Sequence, residues 1–399
     1  MISVGIDISK GKSTICILKP FGEIVCRPFE VVHVESSLKE LVSMIKKFND
    51  EVKVVMEATG IYHLPVLTFL QEEKIFVSVI NPFRMKKYRC QSIRKGKTDK
   101  LDSITIANYG IDNWYLLENF RGLTKTYEEL KILSRQYRHY MSLHINQLLE
   151  LTHILDYTMP GIKGLFNIYD EHSKKSKLCD FIDKYWHFDL IKTMDINEFI
   201  DNYNNWAKEK GYRQSKEKAL EIYTLALKGI PTLSSKLQST KMIVKEAVRV
   251  QKETDATLNT ILTRMQEIAR TLPEYNTVRG MGGVGDTLAV KLIAEIGDIQ
   301  KFHSSKSLIA YAGIDAPPYQ SGKYEALNRK ISKRGSPSLR KVGYETMQSL
   351  KTHKYENDPV YNFIIKKELE GKPKKVAKIA GLNKFLRIYY ARVKEVYSA

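Results

Sequence analysis

Cysteine is scarce in this chain: four in 399 residues, at positions 16, 26, 90 and 179. No two form a C-x-x-C pair and no histidine stands at ligand spacing, which argues against a zinc site or a disulfide framework. Long apolar runs are missing too. None approaches the ~18 to 20 residues that a membrane-spanning helix needs, so no membrane partner is expected. The opening residues Met1-Ile2-Ser3-Val4-Gly5-Ile6-Asp7 lack a basic start followed by an apolar core, which makes the cytoplasm the expected location. Internal repeats and low-complexity tracts are absent as well. Acidic residues are in deficit, 45 against 64 Lys plus Arg, for a formal charge of +19. That excess favours a polyanion as partner, because each phosphate neutralised releases condensed counterions. It is steepest at the back of the chain, where Ser321 to Ala399 carry 19 basic and 7 acidic residues, a net of +12.

What is present is enough apolar material for well-buried cores, 43% of residues. Residues 2–8, 13–18 and 24–32 read as three strands joined by Gly-containing turns, an antiparallel meander. After them the pattern predicts a helix over 36–48, a strand over 52–56, a helix over 64–73, a strand over 75–80 and a helix over 97–109. That order is the one found in the ribonuclease H architecture, an α/β layered domain. From Thr124 to about Tyr157 apolar residues recur every three or four positions (Leu130, Leu133, Tyr137, Met141, Ile145, Leu148, Leu151, Leu155). A second run passes through Ile243, Ala247, Val250, Ile261, Met265, Ile268 and Leu272. Two such helices suit an antiparallel coiled-coil arm or the core of one bundle equally well. The aromatic-rich stretch between them, about 159–233, reads as helical and suggests no function.

The division expected is therefore an α/β domain over 1–115, a helical arm over 116–271 with its insertion, and a mainly helical C-terminal domain over 272–399.

Four carboxylates stand out in the first domain. Asp7 lies inside an apolar strand, where an unpaired charge would cost several kcal/mol. Glu57 ends another strand, where sheet-based sites commonly open. Asp99 and Asp102, three apart on a helix, share one face. Oxygen-only ligands of this kind suit Mg²⁺ or Mn²⁺, and two such ions can clamp the attacking and leaving oxygens of a phosphodiester. Each acid taken singly also has an ordinary use, as a helix cap, a solvated side chain or a turn residue. Their joint placement favours the metal.

Farther on, Pro317-Pro318-Tyr319-Gln320-Ser321-Gly322 is followed by Lys323, Arg329, Lys330, Lys333, Arg334 and Arg340. Guanidinium groups grip phosphate bidentately, and the helix opening at Ser336-Pro337 adds backbone donors. Spacing alone leaves three readings open: Ser321 as nucleophile, Tyr319 as nucleophile, or a solvated basic loop without covalent chemistry. A second basic run, Arg84, Lys86, Lys87, Arg89, Arg94, Lys95 and Lys97, precedes the Asp99 helix and is a further candidate for nucleic-acid contact. Gly280 to Gly285 matches G-x-G-x-x-G but follows no strand, which argues against a dinucleotide site. It reads better as the hairpin of a helix-hairpin-helix, with amides near Gly282 and Gly285 meeting a nucleic-acid backbone.

Taken in order, G-I-D-I-S-K, V-M-E-A-T-G-I-Y-H, K-T-D-K-L-D-S, V-R-G-M-G-G-V-G, L-I-A-E-I-G-D, A-Y-A-G-I-D-A-P, Q-S-G and I-S-K-R-G-S-P-S-L-R resemble the DEDD transposases. These are insertion-sequence recombinases with a RuvC-like N-terminal domain, related to the Piv-type invertases. The resemblance implies that Asp7, Glu57, Asp99 and Asp102 bind divalent metal and that Ser321 forms a transient phosphoserine link to DNA. It also implies donor and target DNA as partners, a homo-oligomer from dimer to tetramer with composite active sites, and a structured bridge RNA as guide. Three other functions compete: a RuvC-like metal-dependent endonuclease that uses water, a non-catalytic basic DNA-binding protein, and an actin-like sugar or acid kinase. The kinase shares the opening meander with its Asp but would need a second phosphate-gripping Gly-rich segment that the sequence does not place for ATP.

Overall fold

The computed structural model describes residues 1–90, 98–120, 122, 124–166, 176–318, 320–321, 324–325 and 329–398. They form two compact units, Met1–Gly122 and Leu123–Ala399.

In the first unit the expected order of elements is present. Strands β1 (Ile2–Ile8), β2 (Lys12–Leu18) and β3 (Ile24–Val32) make the meander. Helix α1 (Glu35–Lys46), β4 (Val52–Glu57), α2 (Leu64–Glu72), β5 (Val77–Ile80), α3 (Pro82–Arg89) and α4 (Asp99–Asp112) follow. The sheet order is β3-β2-β1-β4-β5, with β1 antiparallel to β2 and parallel to β4. On one face Ile2, Val4, Ile6 and Ile8 pack with Leu38, Leu41, Ile45, Leu67 and Leu70 of α1 and α2. Alternation along a strand turns Ser3, Gly5 and Asp7 to the other face, and there α4 lies unusually close.

Glycine permits that approach. A Cβ on Gly5 would stand no more than 2.7 Å from Ser103 O, Ala107 N and Ala107 Cα, all backbone of α4, and a Cβ on Gly110 would strike the Ser3 side chain. Because backbone atoms cannot swing aside, Gly5→Ala should lift α4 off the sheet and cost about 3 kcal/mol, the upper range for overpacking. Urea unfolding of the full chain measures this; a change under 0.5 kcal/mol, near the ~0.5 typical of surface substitutions, would show that the seam yields.

The segment 82–89, which carries the first part of the second basic run, is helical. Asn81 accepts from the Phe83 amide at 2.8 Å and Pro82 occupies the first turn, a start signal the charge run obscures. Met85 is fully buried with Ile106 and Tyr109 of α4, and Tyr88 stacks edge-on against Tyr109 while its hydroxyl donates to Asp112.

The second unit opens with α5 (Lys125–Thr158), which pairs along its length with α10 (Gln238–Arg270). Contacts Glu129–Arg264, His144–Asp255 and Gln147–Thr254 run in opposite senses, so the two helices are antiparallel. Between them come α6 (Lys177–Lys184), α7 (Phe188–Lys192), α8 (Ile196–Lys210) and α9 (Lys216–Lys228). Their Phe181, Phe188, Phe199, Tyr203 and Trp206 form a separate aromatic core with Leu151 and Leu155 of α5 and Val244 and Val248 of α10. The aromatic-rich insertion is thus a small helical module at one end of the helix pair. A larger core at the other end gathers α11 (Tyr275–Arg279), α12 (Asp286–Ile296), α13 (Ser305–Ala312), α14 (Pro337–Thr352), α15 (Pro359–Leu369) and α16 (Lys374–Val396). A short hairpin, β6 (Gln320–Ser321) and β7 (Tyr324–Glu325), lies between α13 and α14. No described helix is long and apolar enough to cross a membrane.

Candidate active site

The close seam between α4 and β1 positions three of the four acids. Asp7 lies two residues beyond Gly5 on the face that α4 covers. Asp99 and Asp102 occupy the first turn of α4, and the Thr98 side chain caps that turn by accepting from Leu101 N at 3.2 Å. Asp102, Ser103, Ile106, Ala107 and Gly110 form the buried stripe facing the sheet. Glu57 arrives from β4, one step past the registered pair Ile6–Met56 on the strand parallel to β1.

The charges of the acids reach one another. Burial, helped by the negative charges of Asp102, Asp99 and Glu57, pushes the Asp7 carboxyl up to about 6, while Arg89 pulls it partly back. Arg89, the last residue of α3, bridges two of the others. Its Nη2 donates to Glu57 Oε2 at 2.8 Å, and its Nε lies 3.2 Å from Asp102 Oδ1. The second contact is an ion pair without an aligned hydrogen bond, since Nε finds no geometrically good acceptor. Sequence reading placed Arg89 in the basic run but gave it no role among the acids. The signal that could have found it was the Asn81-Pro82 helix start, because a helix over 82–89 carries its last residue back toward the strand ends.

Among the described residues no three acidic, His or Cys side chains stand arranged to hold a metal ion. The donor chemistry nevertheless fits a hard divalent cation: four carboxylates, no softer ligand, and an excess of negative charge that one arginine does not cancel. The arginine occupies the space between two of the acids, so their oxygens point at a guanidinium.

Arg84, Lys86 and Lys87 are exposed on α3, with Lys87 over the Phe83 ring. Arg94, Lys95 and Lys97 lie outside the described residues. In the second unit the basic loop before α14 is stapled to the end of α13: Lys333 N donates to Gly313 O at 3.0 Å, and Ser332 hydroxyl donates to Asp315 at 2.5 Å. Lys333 holds φ at 53°, a left-handed conformation that L-residues adopt at some cost, and its side chain is exposed beside that of Arg334. Arg329 and Lys330 are exposed as well. Arg340 differs. Its Nη1 donates to Ala312 O and Gly335 O at 3.0 and 3.2 Å, so it holds the loop in place. Ser321 lies on β6; its side chain, Tyr319 and Lys323 are outside the described residues.

Where a helix-hairpin-helix was expected, α11 and α12 stand on either side of the glycines. The turn itself is packed inward, and a Cβ on Gly282 would strike the Asp358 carboxylate while one on Gly283 would strike Leu350. Gly285 is exposed, and the next residue, Asp286, already sets an acid at the start of α12. Arg279 holds that carboxyl below its ordinary range, with Tyr275 donating to it at 3.0 Å. An acid so placed competes with phosphate for those amides.

A transposase model, DEDD_Tnp_IS110, matches residues 4–160, and the model "Transposase IS116/IS110/IS902 family" matches residues 275–362. The chain carries IS110-family transposase domains. The four acids all fall within the first of these domains, and Ser321 with its basic loop falls within the second. Among curated proteins, the transposase for insertion sequence element IS1111A of Coxiella burnetii (strain RSA 493 / Nine Mile phase I) is 29% identical over 127 residues, 32% of this chain and 35% of that relative. The match thus spans about a third of the relative's length. Among solved structures, RuvC of Thermus thermophilus is similar over 29% of this chain and 96% of its own, at 13% identity and a TM-score of 0.23. RuvC of T. thermophilus in complex with a Holliday junction substrate matches at 12% identity over the same share, with the same TM-score.

Proposed function

We propose that this protein is a divalent-metal-dependent DNA transposase that cuts and rejoins strands through a phosphoserine intermediate at Ser321. What supports the reading is the bridging of Glu57 and Asp102 by Arg89 in an IS110-family transposase domain, beside an Asp7 carboxyl raised by burial and by the charges of Asp102, Asp99 and Glu57. These four residues would hold Mg²⁺ or Mn²⁺, which supplies charge neutralisation at the scissile phosphate.

The serine oxygen forms a bond to phosphorus, the bond to one sugar oxygen breaks, and that oxygen leaves as a hydroxyl while the serine proton passes to water. A hydroxyl from another strand then attacks the phosphoserine and restores Ser321. Lys333 and Arg334, exposed on an anchored loop, with Arg329, Lys330 and Lys323, hold the backbone. Arg84, Lys86, Lys87 and Arg94 supply a second phosphate-binding surface. Ser321 and the four acids belong to different domains, and the reading completes the site between subunits of an oligomer, dimer to tetramer. A structured non-coding RNA serves as guide and accounts for part of the basic surface.

The test is a full-chain reaction with labelled DNA bearing the ends of the mobile element, together with any RNA transcribed from its flank. A protein–DNA adduct that survives detergent, forms with Mg²⁺ or Mn²⁺ and vanishes with chelator is expected. Cut DNA with free ends and no adduct would favour the water-using endonuclease. Tight binding without cleavage under any condition would favour the architectural binder.

A further inference from the structure

Arg89 lies against two of the four carboxylates. Its guanidinium spans Glu57 and Asp102, whose side chains are only 16% and 12% exposed, while Asp7 has no ion pair among the described residues. Helix α3 is anchored by Met85 and Tyr88, yet Arg89 is its last residue, so the side chain can leave without unpacking the helix. Only the Glu57 contact is an aligned hydrogen bond; the Asp102 contact holds by charge and so breaks at little geometric cost.

We propose that Arg89 is a tethered counter-ion: it fills the cluster in the metal-free protein, must withdraw from Glu57 and Asp102 for a divalent ion to bind, and is then free to meet a DNA phosphate. The proposal rests on the reading of the four acids as metal ligands. Four carboxylates carry four negative charges, and one guanidinium removes one of them. Without Arg89 the acids would repel one another across a half-buried site; with it, they wait in a form that a doubly charged ion can displace. Metal loading and phosphate capture are thereby coupled through one side chain, since the ion sets free the group that grips the strand. DNA in turn favours the withdrawn arginine and so favours the ion, because coupling between two ligands is reciprocal.

The experiment measures Mn²⁺ binding to the full chain by electron paramagnetic resonance, with thermal unfolding with and without Mn²⁺, in wild type, Arg89→Met, Arg89→Lys and Asp7→Asn. Arg89→Met should bind Mn²⁺ about tenfold more tightly than wild type. Its melting temperature should fall without the ion and recover with it. Arg89→Lys, whose ammonium cannot bridge both acids, should lie between and keeps the test usable if the methionine variant folds poorly. Added DNA should tighten Mn²⁺ binding in wild type and lose that effect in Arg89→Met. An arginine that merely supports the fold would lower the melting temperature equally in both conditions and leave Mn²⁺ affinity unchanged, which overturns the proposal. If Asp7→Asn loses Mn²⁺ binding while Arg89→Met binds as wild type does, the inference falls and the metal reading stands. If neither wild type nor Arg89→Met binds Mn²⁺, both fall.

Discussion

Ser321→Ala should eliminate the detergent-stable DNA adduct and reduce strand transfer by at least 10³-fold, because attack by water leaves no covalent intermediate to carry the strand. DNA binding should change by less than about threefold. The hydroxyl contributes at most one hydrogen bond, roughly 0.5–1.5 kcal/mol net, whereas the affinity of a polyanion comes from the charges of Lys333, Arg334 and their neighbours. Gel-shift titration at two salt concentrations, run beside a denaturing-gel adduct assay, separates the two quantities. The rival nucleophile is tested in the same assay, since Tyr319→Phe should retain the adduct. Adduct lost in Tyr319→Phe and kept in Ser321→Ala would move the nucleophile two residues upstream. Undiminished cutting in Ser321→Ala would leave water as the attacking group.

Asp7 stood out in the sequence because it broke a local rule, whereas Glu57, Asp99 and Asp102 drew notice only through their joint placement. A carboxylate inside the apolar strand I-S-V-G-I-D-I needs a reason, and the α4 seam supplies it: Ser3 and Gly5 are small so that the helix carrying Asp99 and Asp102 can lie against Asp7. The strand order was legible as well, since period-2 alternation and glycine turns are local signals. What eluded the sequence was tertiary. Arg89 looks like any other member of a basic run until the helix 82–89 carries it to Glu57. Arg340 looks like a phosphate ligand until its Nη1 is found on the carbonyls of Ala312 and Gly335. The glycines at 282 and 283 look like a nucleic-acid hairpin, and their lack of side chains in fact admits Leu350 and Asp358 at close range. Charge and glycine content say that a residue is unusual without saying which neighbour it was chosen for.

Asp7→Asn should separate activity from stability in opposite directions. Strand cleavage in Mg²⁺ should fall by 10³-fold or more, the scale on which loss of a transition-state electrostatic group is felt. Stability should rise. In the folded protein the Asp7 carboxyl is pushed up to about 6 from 3.8, so its ionised form is disfavoured by folding. The cost of that ionised form is fully present above pH 6, shrinks as pH falls from 6 toward 4, and is gone below the unfolded value. For a fully buried carboxyl a displacement of this size would cost about 3 kcal/mol, and partial exposure to solvent reduces this to ~1–2 kcal/mol. Asparagine carries no charge, so its advantage in urea unfolding should be about 1–2 kcal/mol at pH 7.5 and should vanish near pH 4. Divalent metal should close the gap from the other side, since an ion that neutralises Asp7 stabilises wild type by mass action and has less to offer the variant. An asparagine variant that cuts poorly and is also less stable at pH 7.5 would mean that Asp7 is held for the fold. The opposite pair of changes is what a residue kept at a cost for its chemistry should show.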